Sequence, residues 1–193
     1  ALTHDGRRPY SPLIAVSLDE SAPPALRALA LRSLYHMTDR QEVRSHLAAA
    51  LAGSEPALRA AAAWASFMDS DEPELEGPLL AIAKDWREPF DLRQEAIKSL
   101  SGAARRPLVA DALLDIAEVW NEELGVRDLA IRALAARSGQ ADVRRRLAAL
   151  KAVPELCQAI AAAERGSYDE EFVRLFHLAA WPSGCPRDPL SGL

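Results

Sequence analysis

Cysteine is almost absent from this chain: Cys157 and Cys185 are the only two in 193 residues. They lack the spacing of a metal-binding set and are too few to staple a scaffold of this size. A disulfide framework is excluded, and a reducing cytoplasm is the expected compartment. No apolar run approaches the roughly 18 residues that a membrane-spanning helix requires, so no membrane association is expected. A basic excess is also missing. The 23 Lys and Arg are outnumbered by 28 Asp and Glu, leaving a net charge of −5. That balance disfavours a molecule built as a whole to attract nucleic acid. The opening ALTHDGRRPY lacks the apolar stretch of a signal peptide. With no methionine at position 1, it is expected to be a processed start or a cut from a longer chain.

Catalytic signals are equally thin. The four histidines, His4, His36, His46 and His177, are scattered, and no carboxylate or cysteine pair completes a metal set. No phosphate loop, nucleophile elbow or Cys-His-Asp arrangement can be read. The chain is therefore expected to be no enzyme and to need no cofactor or metal.

What the sequence has is helix-forming residues and a repeat. Hydrophobic residues make up 49%, dominated by Ala and Leu, with aromatics at 6%. LLAIAKDWREPFDLRQEAIKSL (Leu79 to Leu100) returns 34 residues later as LLDIAEVWNEELGVRDLAIRAL (Leu113 to Leu134), with ten identities in twenty-two gapless positions. Leu79, Leu80, Ile82, Ala83 and Trp86 share one helical face, as do Leu113, Leu114, Ile116, Ala117 and Trp120. Pro89 and Gly125 break the helix. A second periodic segment follows, in which Leu92, Ala96, Ile97 and Leu100 match Val126, Ala130, Ile131 and Leu134. Each unit is helix, turn, helix, with Asp91 and Gln94 expected as a capping box for the second helix.

The second helix recurs at Pro24 to Leu34 and Pro56 to Ser66, and in degraded form at Pro154 to Ala163, where Cys157 stands in the arginine place. Arg27, Arg59, Arg93 and Arg127 are spaced by 32, 34 and 34 residues. First helices are expected at about Pro12 to Leu18, Asp39 to Ala52, Glu74 to Trp86, Pro107 to Asn121 and Ala141 to Lys151. A period of this length built from helical hairpins predicts an array in which each pair completes its neighbour's core.

The recurrent Leu/Val-Arg-x-x-Ala-Leu/Ile-x-x-Leu pattern resembles the second helix of HEAT repeats, including the short bacterial type first described in bilin lyases. The resemblance covers about Ala22 to Leu150, with a weaker extension to Gly166. It implies an all-α, right-handed α–α superhelix of about five hairpins, occupying residues 22–166. Residues 1–11 are expected to be irregular, 167–181 a capping helix, and 182–193 a tail. In HEAT repeats the recurrent arginine pairs with an aspartate of the preceding turn. Here the positions six residues upstream are Ser21, Gly53, Arg87 and Asn121, so the arginines are left with Glu55, Glu88 or Glu122, or with helix-end carbonyls. The His-Glu doublets of the HEAT-type deoxyhypusine hydroxylases are absent.

In HEAT proteins the second helices line the concave face. Five residues after each repeat arginine stand Arg32, Trp64, Lys98 and Arg132, predicted as an outward-facing row about 10 Å apart. Three cations and an exposed indole suit a protein partner or an acidic peptide. The competing reading makes the cations solvated and folds Trp64 into an Ala-rich gap. The alternative function is nucleic-acid binding, or a HEAT-like alkylpurine DNA glycosylase using the same stripe. Met68 to Phe90 holds seven acids and two bases, and Gly125 to Lys151 seven bases and two acids, a gradient that admits head-to-tail homo-oligomers. The segment Tyr168 to Trp181 is expected to cap the array. The Ala/Arg/Leu-rich composition points to a bacterial, GC-rich source.

Overall fold

Proline sets the start of four helices. In the computed structural model, which describes residues 10–67 and 70–166, Pro24, Pro56, Pro73 and Pro107 each open a helix. The first-turn N–H has no intrahelical acceptor, so proline loses nothing there, and its ring holds φ at the helical value. The preceding residues, Pro23, Glu55, Glu72 and Arg106, have ψ between 108° and 139°, the extended state that a following proline imposes.

The helices are α1 (Ser11–Leu18), α2 (Pro24–Arg32), α3 (Gln41–Leu51), α4 (Pro56–Ala65), α5 (Pro73–Lys84), α6 (Phe90–Leu100), α7 (Pro107–Glu118), α8 (Leu124–Ala133), α9 (Ala141–Leu150) and α10 (Cys157–Glu164). Short 3-10 turns occupy Leu134–Arg137 and Pro154–Leu156. No strand occurs among the described residues, and none of their helices is long and apolar enough to cross a membrane. The capping helix expected over 167–181, the tail at 182–193, and most of the irregular start fall outside the described residues.

Each odd helix packs on the even helix that follows it. The even helices also pack in sequence, α2 on α4, α4 on α6, α6 on α8 and α8 on α10, as do α3 to α9 on the odd side. One continuous apolar cluster runs through all these contacts. The residues predicted for it are in it: Leu92, Ala96, Ile97 and Leu100, with their counterparts Val126, Ala130, Ile131 and Leu134, are fully buried. Each such Leu or Ile contributes roughly 1.5–3 kcal/mol. Gly102 permits a close approach between successive pairs, because a Cβ there would lie 2.6 Å from the Phe67 carbonyl oxygen.

The recurrent arginines tie the pairs together through both kinds of partner left open by the sequence. Backwards, Arg27, Arg59, Arg93 and Arg127 donate from Nε to the carbonyls of Ser17, Leu51, Ala83 and Ala117, at or near the end of the preceding helix. Those carbonyls lack intrahelical donors, so the arginine satisfies them. Forwards, Arg27 donates to Glu55 at 2.9 Å, Arg59 to Glu88 at 2.7 and 2.6 Å, and Arg93 to Glu122 at 2.9 Å. Each of these glutamates lies in the turn of the next pair, so the three rungs from Arg27, Arg59 and Arg93 span two repeats. The Arg93 hydrogen bond holds the Glu122 carboxyl below its ordinary range. In the degraded copy the Cys157 thiol lies 3.8 Å from the Lys151 and Val153 carbonyls, a weak substitute for the arginine.

Two expectations need correction. Asp91 and Gln94 form no capping box: α6 has Pro89 at its N-cap and no side-chain cap. Trp86 and Trp120 are not core residues. They are 74% and 85% exposed. Helix α5 ends at Lys84 and α7 at Glu118, where Asp85 and Val119 turn to extended backbone. The Asp85 Oδ1 then accepts the Arg87 N–H at 2.9 Å, fixing a turn. The helical period stops before either indole, so the face that carries Leu79 and Leu113 inward does not carry the tryptophans.

Candidate functional site

The row of even helices carries all four predicted residues. Arg32 ends α2, Trp64 lies one residue before the end of α4, Lys98 sits in the last turn of α6, and Arg132 in the last turn of α8. These helices pack consecutively, so the four residues sit on successive neighbouring helices. The prediction of four outward-pointing groups is nevertheless corrected, because the row divides into two halves of different chemistry.

In the first half, the Arg32 guanidinium lies over the Trp64 ring, 5.6 Å from its centroid. Tyr35, just beyond α2, packs at 4.8 Å from Trp64 with the rings tilted by 37°. Tyr35 also stacks with Phe67 at 6.5 Å and meets His36 edge-on at 4.3 Å. Burial pushes the Tyr35 hydroxyl above its usual titration range. Trp64 is half-buried and packs against the core. Its indole N–H is enclosed and has no acceptor among the described residues. This is an aromatic cluster with one guanidinium on it, not a lone exposed indole.

In the second half, the cations turn inward to acids on their own helices. Lys98 is 3% exposed and its ammonium pairs with Glu95 at 3.0 Å. Arg132 is 7% exposed and pairs with Asp128 at 2.6 Å. The second carboxylate oxygen of Glu95 is enclosed without a hydrogen-bond donor among the described residues. Buried charges are kept only when compensated, so Glu95 and Asp128 are required by the cations beside them. Neither acid was singled out from the sequence. The signal was present in their spacing, three residues before Lys98 and four before Arg132, where a helix brings side chains together. Between the C-terminal even helices, Gln94, Leu129, Asp128, Arg132 and Gln158 line a shallow cleft.

A second cleft, at the N-terminal pairs, is lined by Ser17, Arg27, Leu31, His46, Glu55 and Leu58. The buried Ser17 hydroxyl lies 2.7 Å from His46 Nε2, the contact a serine nucleophile needs. It also donates to the Ile14 carbonyl at 2.8 Å. With the hydroxyl proton used there, Nε2 must be the donor to Ser17, so His46 holds the wrong tautomer to remove the serine proton. The pair docks α1 on α3. Burial lowers the His46 pKa, disfavouring the charged ring. No cluster of three metal-ligating side chains occurs among the described residues.

The Arg32–Trp64–Tyr35 cluster thus places a guanidinium over an indole, with a tilted phenol ring beside it, groups of the kind that hold carboxylates or carbonyls. Compared with known families and with curated proteins, the chain matches no family model and no curated sequence.

Proposed function

We propose that the chain is a HEAT-type, right-handed α-solenoid of five helical pairs that works as a non-catalytic protein-interaction module in the cytoplasm. The paired helices in two rows, the core shared between pairs and the arginine rungs spanning successive repeats support this reading of the fold. The observation that carries the function is the Arg32 guanidinium stacked on Trp64 beside Tyr35, on the row of second helices. Aromatic rings and arginine are the residues that most often anchor protein partners. An acidic peptide is the partner class: its carboxylate pairs with Arg32 while its backbone lies across the rings. The nucleic-acid alternative draws less support, because Lys98 and Arg132 are neutralised by Glu95 and Asp128.

The test is a titration with Glu/Asp-rich peptides followed by the NMR signal of the Trp64 indole N–H. The signal shifts saturably, and Arg32→Glu weakens binding about tenfold or more, a charge-assisted contact being worth ~1.5–3 kcal/mol. Equal binding by wild type and variant, or no shift at millimolar peptide, contradicts the reading.

A further inference from the structure

The turns between first and second helices carry a different surface, on which the two exposed tryptophans occupy equivalent places. The first copy reads Lys84-Asp-Trp86-Arg87-Glu, and the second reads Glu118-Val-Trp120-Asn121-Glu. In the first copy the Arg87 guanidinium lies over the Trp86 ring, 5.4 Å from its centroid. In the second, the cations at both equivalent positions are replaced, Lys84 by Glu118 and Arg87 by Asn121. Among the described residues no cation lies over Trp120, although its ring is the more exposed of the two. Three carboxylates flank it in sequence instead, Glu118, Glu122 and Glu123. Glu118 is held by Arg146 at 2.7 Å and Glu122 by Arg93, both structural contacts between pairs. Glu123 is exposed and has no pairing cation among the described residues.

We infer that this turn is a docking surface for a basic peptide segment, an arginine of which lies over Trp120 in the place that Arg87 fills over Trp86. An indole face attracts a guanidinium through its quadrupole, and the exposed Glu123, three residues on, adds a charge of the right sign to the same turn. The repeat supplies the precedent in cis: the same turn and the same ring, with the cation present in one copy and missing in the other. The surface is distinct from the second-helix row and prefers a partner of the opposite charge.

The probe is a seven-residue peptide with three arginines separated by glycine, against the same peptide with citrulline, which keeps the shape and removes the charge. The indole N–H signal of Trp120, assigned from Trp120→Phe, reports on the site. The arginine peptide shifts it saturably and the citrulline peptide does not. Asn121→Arg, which gives Trp120 its own guanidinium, weakens binding about fivefold or more, and Glu123→Gln by a smaller factor. Both positions are exposed, so these variants retain the fold. The proposal is overturned by no shift at millimolar peptide, by equal response to citrulline, or by unchanged affinity in Asn121→Arg. It is equally overturned if the Trp120 signal moves with protein concentration alone, since the occupant is then a second copy of this chain.

Discussion

Trp64 and the pair Trp86/Trp120 are the same residue type under opposite conditions. Trp64 lies within a helix, half-buried, its N–H enclosed, with a tyrosine against it and an arginine above. Trp86 and Trp120 stand beyond the ends of their helices and face solvent. The lesson concerns where a periodic pattern stops. A residue's phase around a helix decides its burial only while the helix continues, and one residue of extended backbone, Asp85 or Val119, cancels the argument.

Several experiments break or sharpen this contrast. The largest effect belongs to the second-helix row at Lys98. Lys98→Met leaves the Glu95 carboxylate buried beside an apolar chain and lowers unfolding stability by about 3–5 kcal/mol in urea titrations. Adding Glu95→Leu restores most of that loss, since a well-packed apolar pair can replace a buried ion pair. Failure of the double variant to recover would show that the pair is not isolated from other polar groups.

Next comes the tryptophan comparison itself. Trp64→Ala removes a packed ring and costs roughly 2–4 kcal/mol, toward the lower part of the range for large aromatic truncations because the residue is half-buried. Trp86→Ala and Trp120→Ala each change stability by no more than about 0.5 kcal/mol, as surface substitutions do. Equal losses at all three positions would erase the contrast.

The smallest effect is one of pH. The His46 pKa is lowered in the fold by burial, below the ordinary value of about 6.5. The unfolded chain therefore takes up a proton first as the pH falls through 6.5, and stability declines from there until the folded ring is protonated too. Glu122 acts lower on the scale and in the same direction, because Arg93 depresses its pKa: its contribution is full above the unfolded carboxyl range and is lost as the pH falls through the folded value. His46→Gln, which keeps a donor for Ser17, flattens the decline between pH 7 and 5 measured by urea midpoint. An unchanged slope would assign it to other groups.

Much of the fold was legible in the chain. The 34-residue recurrence placed Leu92, Ile97, Val126 and Ile131 in the core because hydrophobic period and repeat register agreed at those positions. The rungs were half legible. The missing aspartates left Glu55, Glu88 and Glu122 or helix-end carbonyls as partners, and a guanidinium with five donors uses both. The candidate site was less so. Its order along the row followed from the spacing, but the depth of each group did not. Whether Lys98 points out or in depends on Glu95 one turn earlier, and Trp64 meets the ring of Tyr35 from the neighbouring pair. Neither relation is visible in hydrophobic periodicity. The tryptophans of the turns were misplaced for a local reason, the early helix ends at Lys84 and Glu118.

The most direct test of that central contrast is collisional quenching of tryptophan emission in two variants, one retaining only Trp64 and the other only Trp120, the remaining indoles replaced by Phe. The account predicts red-shifted, readily quenched emission from Trp120 and blue-shifted, protected emission from Trp64. Protected emission from Trp120, or emission from Trp64 as open to quencher as that from Trp120, would contradict it.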